Sequence, residues 1–140
     1  MPDESKPIDK TDVAAKELII DVMDGRDSGG FDVDSIYHID GRGWVVVEFL
    51  KCETVTPVNS HPNRYWWKNS QKFINLWNLA TDLDGELVLV NYEENHEDFK
   101  VIKVKDLDED DGIQDERIEK MSFEEFQEYF VALNEDARGI

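Results

Sequence analysis

Phe31-Asp32-Val33-Asp34-Ser35-Ile36-Tyr37-His38-Ile39, Asp40-Gly41-Arg42-Gly43, Trp44-Val45-Val46-Val47-Glu48-Phe49-Leu50-Lys51: this stretch decides the fold. An Asp-Gly pair between two β-prone runs signals a hairpin, because glycine supplies the positive φ that a tight turn needs. The run 44–50, rich in β-branched and aromatic residues, is apolar throughout except at one position, the pattern of a strand covered on both faces. The exception is Glu48. Burying a carboxylate costs several kcal/mol unless a metal, a cation or hydrogen bonds compensate it. Pairing about the turn sets Asp34 opposite Glu48, with Lys51 close behind. Two carboxylates converging beside a lysine at the end of buried strands can hold a divalent metal and activate water.

Working outward, residues 1–10 are polar, contain Pro2 and Pro7, and read as a flexible tail. A first helix should begin at Thr11 or Asp12 and run to Met23, with Val13, Ala14, Leu18, Val22 and Met23 inward. After the hairpin, residues 53–63 carry Pro57, His61 and Pro62 and read as an irregular loop. A long helix follows over 64–82, with Trp66, Phe73, Leu76, Trp77, Ala80 and Leu83 at helical spacing. Residues 86–92 and 99–104 read as strands. Ser122 and Glu125 form a capping-box pattern opening a last helix, with Phe123, Phe126, Phe130 and Leu133 inward. The order is helix, strand, strand, helix, strand, strand, helix. It specifies an α/β chain: a central mixed sheet flanked by helices on both faces, in one domain over 11–140. Trp44, Val46, Phe73, Trp77, Leu87 and Leu89 should be buried.

Composition bounds the function. The 140 residues are 40% hydrophobic, enough for one core. No apolar run is long enough to cross a bilayer, the first residues do not resemble a signal peptide, and the single Cys52 has no disulfide partner, so a cytoplasmic location is expected. The net charge of −18, with 33 acids against 15 bases, opposes nucleic-acid binding on average. Its distribution matters more. Residues 106–111 hold five acids and read as a solvated loop or as a surface for a basic protein partner, whereas residues 64–72 hold three bases and no acid. Within the latter, Arg64-Tyr65-Trp66-Trp67-Lys68 interleaves aromatics with cations, and Arg64, Trp67, Lys68 and Lys72 are candidates to stack on bases and hold phosphates. The alternative is that Trp66 is core and the cations pair with the abundant acids. His38, His61 and Cys52 have no zinc-site spacing.

The element order, with Glu17 on the first helix, Asp34 on one strand and Glu48 on the next, resembles the restriction-endonuclease-like (PD-(D/E)XK) nuclease superfamily. The resemblance covers residues 11–92 and rests on a short, degenerate motif. It implies a restriction-endonuclease-like fold and Mg²⁺- or Mn²⁺-dependent hydrolysis of DNA or RNA by metal-activated water. Carried over, Asp34, Glu48 and Lys51 are catalytic, and Asp34, Glu48 and Glu17 hold the metal. Three features depart from the pattern. No proline precedes Asp34, the whole chain is acidic, and two residues rather than one separate Glu48 from Lys51. In a regular strand Lys51 therefore points away from Glu48. A bulge could re-aim it, Lys68 or Lys72 could replace it, or the site could be inactive; Asp32 is the alternative to Asp34. The competing reading is an inactive nuclease-fold module that binds a protein partner through its acidic surface, as an inhibitor, immunity protein or DNA mimic would.

Overall fold

The computed structural model describes residues 12–27 and 29–140. The chain divides into two compact units, residues 1–32 and 33–140, so the boundary falls after the first helix. The first unit contains α1 (Asp12–Met23). The tail and the proposed Thr11 cap lie outside the described residues. The apolar side chains expected to face inward on α1 do not all do so: Val13, Leu18 and Val22 are exposed.

The second unit is built on one sheet. Its strands are β1 (Ser35–Ile39), β2 (Gly43–Lys51), β3 (Glu86–Tyr92), β4 (Asp98–Asp108) and β5 (Gly112–Ser122). They lie in sequence order, β1-β2-β3-β4-β5. Three neighbouring pairs are antiparallel, and β2 with β3 is parallel. The parallel step needs a crossover, supplied by α2 (Trp66–Asp82). The chain closes with α3 (Phe123–Arg138), whose first turn is fixed by the Ser122–Glu125 capping box read from the sequence. The mixed sheet and α/β class are as expected.

Two apolar layers explain why β2 reads as a continuous hydrophobic run. Val46, Leu87, Leu89, Ile102 and Val104 pack with Phe73, Leu76 and Ala80 of α2. Val45, Val47, Val88, Val90 and Val101 pack with Phe126 and Leu133 of α3. Strand alternation puts Glu48 on the α2 side with Val46. Among the described residues, no helix is long and apolar enough to cross a membrane.

Four local expectations are corrected. The first strand begins at Ser35, so Asp32 and Asp34 precede it rather than share one of its faces. Trp44 is 38% exposed because its partner across the ladder is His38 on edge strand β1, against whose ring it packs at 4.8 Å. Phe123 is 42% exposed, since it opens α3 and sits at the rim of the aromatic cluster. The acidic run 106–111 is no irregular loop: β4 continues to Asp108 and turns into β5. As an edge strand, β5 buries only Gly112 and Ile113 and otherwise carries charge, so no apolar run marks it. The hairpin docks on the start of α2 through Asn63, whose Nδ2 donates to the Ile113 carbonyl at 2.9 Å while its Oδ1 accepts from Ile113 N–H at 2.8 Å.

Candidate active site beside the parallel strands

Ser35 pairs with Val47 at the end of the β1–β2 ladder. The ladder ends there, and Asp34 lies one residue beyond it. The Asp34 side chain is held there: its Oδ2 accepts from Phe49 N–H at 2.8 Å, taking over from the β1 backbone where that strand has not yet begun. Glu48 is 3% exposed; it pairs with Leu89 of β3 and lies on the α2 side of the sheet. Its Oε2 lies 3.9 Å from Lys72 Nζ. Lys72 stands next to the buried Phe73 on α2, at the edge of the helix face that packs on the sheet.

Lys72, a cation that meets Glu48, therefore comes from the helix rather than from β2. Lys51 Nζ lies 3.8 Å from Glu94 and 4.0 Å from Glu53. No bulge interrupts β2 where it pairs with β3, so Lys51 keeps the side opposite Glu48. Asp32 pairs with Lys16 at 3.4 Å within the first unit, where Glu17 is an exposed residue of α1. Arg42, a possible partner for Glu48, instead binds Glu86 through Nε at 2.6 Å. Lys103 Nζ reaches the same carboxylate at 2.6 Å. The Arg42 hydrogen bond, reinforced by Lys103, holds the Glu86 carboxyl below its usual range. Among the described residues, no three His, Cys, Asp or Glu side chains gather as a metal-binding group.

Lys72 also borders a cavity of about 370 Å³ at the carboxyl ends of β2 and β3. In open α/β sheets this is where ligands bind. Arg64 and Tyr65 form part of its wall, with Cys52, His61 and Asn69. Buried polar groups tie the loop wall to the sheet. Asn91 Nδ2 donates to the Ser60 carbonyl at 2.9 Å, and Lys100 Nζ donates to the same oxygen at 2.9 Å. Burial pushes the Lys100 amine down, partly opposed by Glu116. His61 Nε2 lies 2.7 Å from Glu116, and its Nδ1 accepts from Asn63 N–H at 3.0 Å. With Nδ1 accepting, Nε2 is the ring nitrogen that faces the Glu116 carboxylate.

The aromatic segment divides its labour. Trp66 is core, and its Nε1 donates to the Glu109 carbonyl at 2.9 Å. Trp67 is 75% exposed, with Lys68 Nζ 5.7 Å from its ring centroid. The Arg64 guanidinium lies 5.7 Å from the Tyr65 ring. Sequence reasoning missed Asn91, Lys100 and the His61–Glu116 pair. A signal for the first two existed: each is a polar residue within an otherwise apolar strand run.

Comparison with protein-family models, curated proteins and solved structures finds no match.

Proposed function

We propose that this chain is a divalent-metal-dependent phosphodiesterase acting on nucleic acid, on a restriction-endonuclease-like fold. One observation carries the reading: a carboxylate at 3% exposure on β2, with Asp34 just beyond the end of the β1–β2 ladder and a lysine amine 3.9 Å away. The donor set fits a hard cation. Mg²⁺ is bound by one or two carboxylates, keeping several waters and taking substrate phosphate oxygens, so Asp34 and Glu48 suffice as its protein ligands. The chemistry such an ion supplies is a water of lowered pKa and screening of phosphoryl charge. The chain's own contribution is rigidity and charge. Strand pairing fixes Glu48, and the Phe49 amide fixes one oxygen of Asp34, leaving the other to bind. Lys72 takes the role that the family resemblance gave to Lys51, placing a cation where a phosphate oxygen would approach. Arg64, Trp67 and Lys68 supply contacts to the strand.

Purified protein with Mg²⁺ or Mn²⁺ should cleave DNA or RNA, and EDTA should stop it. Glu48→Gln should abolish cleavage while the circular dichroism spectrum is retained. Cleavage by Glu48→Gln at the wild-type rate would remove the proposal.

A second reading, an inactive module that binds a basic protein partner, is favoured by the β4–β5 hairpin. Asp106, Asp108, Glu109, Asp110, Asp111 and Asp115 are all exposed there. The turn is internally fixed, because Asp108 Oδ2 accepts from the backbone N–H of both Asp110 and Asp111. Neutralising Glu109, Asp110 and Asp111 as amides should weaken binding to a basic peptide and flatten its salt dependence. Unchanged affinity would show the hairpin to be only a solvated edge.

A further inference from the structure

Resting on the phosphodiesterase reading, we propose that the cavity beside Lys72 takes one unpaired nucleotide of the substrate strand, which makes the chain selective for single strands or strand ends. The phosphate lies against Arg64 and Lys72, and the base against Tyr65.

Charge is the first argument. The chain carries more than two acids for every base, yet among the described residues the cavity is lined by Lys51, Arg64 and Lys72 with Glu53 as its one acid. Lys51 also lies near Glu94 and Lys72 near Glu48, which leaves Arg64 with no ion-paired acid among the described residues. On so acidic a surface, a pocket with inverted charge selects an anion. The start of α2 agrees: its first turn holds Lys68 and no acid. A helix dipole favours the opposite arrangement, so local stability is conceded where an anionic ligand would gain.

Size and shape are the second. The volume of about 370 Å³ falls within the range of small-ligand sites, about 300–1,000 Å³. A base still stacked in a duplex cannot enter such a recess, and a nucleotide reaches it only when extruded or unpaired. The half-exposed Tyr65 ring gives that base a face to stack on. Trp67 offers another exposed ring outside the cavity for a neighbouring base.

Preorganisation is the third. Buried Asn91 and Lys100 tie one wall to the sheet through Ser60, and Asn63 pins the turn that carries Arg64 and Tyr65 to β5. Rigid walls lower the entropy cost of binding.

The sole cysteine, Cys52, lines the cavity and reports on its occupancy. Alkylation by iodoacetamide is measured in EDTA with thymidine monophosphate, thymidine or inorganic phosphate. At ten times its dissociation constant, the monophosphate should slow alkylation about tenfold. Thymidine and phosphate at the same concentrations should protect far less. Arg64→Gln and Tyr65→Ala should each remove protection without moving the thermal midpoint, and Glu48→Gln should keep it. Equal alkylation rates with and without the monophosphate, or protection by inorganic phosphate alone to the same extent, would overturn the proposal. Protection with no cleavage of any substrate removes the phosphodiesterase reading and leaves the nucleotide site. Cleavage of blunt duplex as fast as of single strands, without protection, does the reverse.

Discussion

Replacing Lys72 by methionine isolates the interaction on which the candidate site turns. The amine lies 3.9 Å from Glu48 Oε2, and the two side chains are 47% and 3% exposed. At that separation the Coulomb attraction is about 1 kcal/mol in water and about 4 kcal/mol at an effective dielectric constant of 20. Lys72 stands half in solvent, and water can follow the departing amine toward Glu48, which draws the value to the lower half of that range. The expected loss is about 1–2 kcal/mol, below the 3–5 kcal/mol of a fully buried pair losing one partner. Urea unfolding in EDTA measures it from the midpoint at constant slope. In a Glu48→Gln background the same Lys72→Met change should be nearly neutral, giving a coupling of about 1–2 kcal/mol in the double-mutant cycle. Glu48→Gln alone should change stability by less than about 1 kcal/mol, because relief of desolvation offsets the lost attraction. A Lys72→Met cost that is the same with glutamate or glutamine at position 48 would refute the pairing. A loss above about 3 kcal/mol for Glu48→Gln alone would make Glu48 a structural anion.

Two further outcomes follow from the hydrogen-bonded ends of the sheet. Glu86 has its carboxyl held below the ordinary 4.5, first by the Arg42 hydrogen bond. A depressed folded-state pKa adds stability that is present above the unfolded value and lost as pH falls through the folded one. Glu86→Gln should therefore flatten the acid limb of the stability profile below about pH 4.5, by no more than about 1 kcal/mol because Arg42 and Lys103 are well exposed; an unchanged acid limb would contradict this. Asn63→Ala removes both bonds to Ile113 and should cost about 2 kcal/mol in urea unfolding. Gly112→Ala strains the same joint, since φ is +91° and a Cβ there would collide with the Asn63 side chain. The two changes should thus combine less than additively, and full additivity would argue against a shared joint.

The hairpin was legible because turn chemistry and strand alternation are local rules. The crossover helix, the 86–92 strand and the α3 cap were legible for the same reason. What the sequence hid depended on tertiary context. The β5 strand pairs through its backbone on one side only, so its side chains stay charged and leave no hydrophobic period. Lys72 reaches Glu48 only because α2 packs across β2 at Phe73, a contact between residues 24 positions apart in sequence. The expected burial of Trp44 failed because its neighbour across the ladder is His38, while edge strand β1 meets a helix on its other face, where Tyr37 packs against Phe130 of α3 at 6.0 Å. The cavity was invisible because its wall joins the 53–63 loop, β3 and β4 through single polar residues.

The central claim is that Asp34 and Glu48 together hold a divalent cation, and calorimetric titration with Mn²⁺ tests it most directly. An acidic surface attracts cations diffusely, so comparison with variants decides the matter. The account predicts one saturable site in the wild-type protein that disappears in both Asp34→Asn and Glu48→Gln while the diffuse background remains. Titration curves that are the same for all three proteins would contradict it.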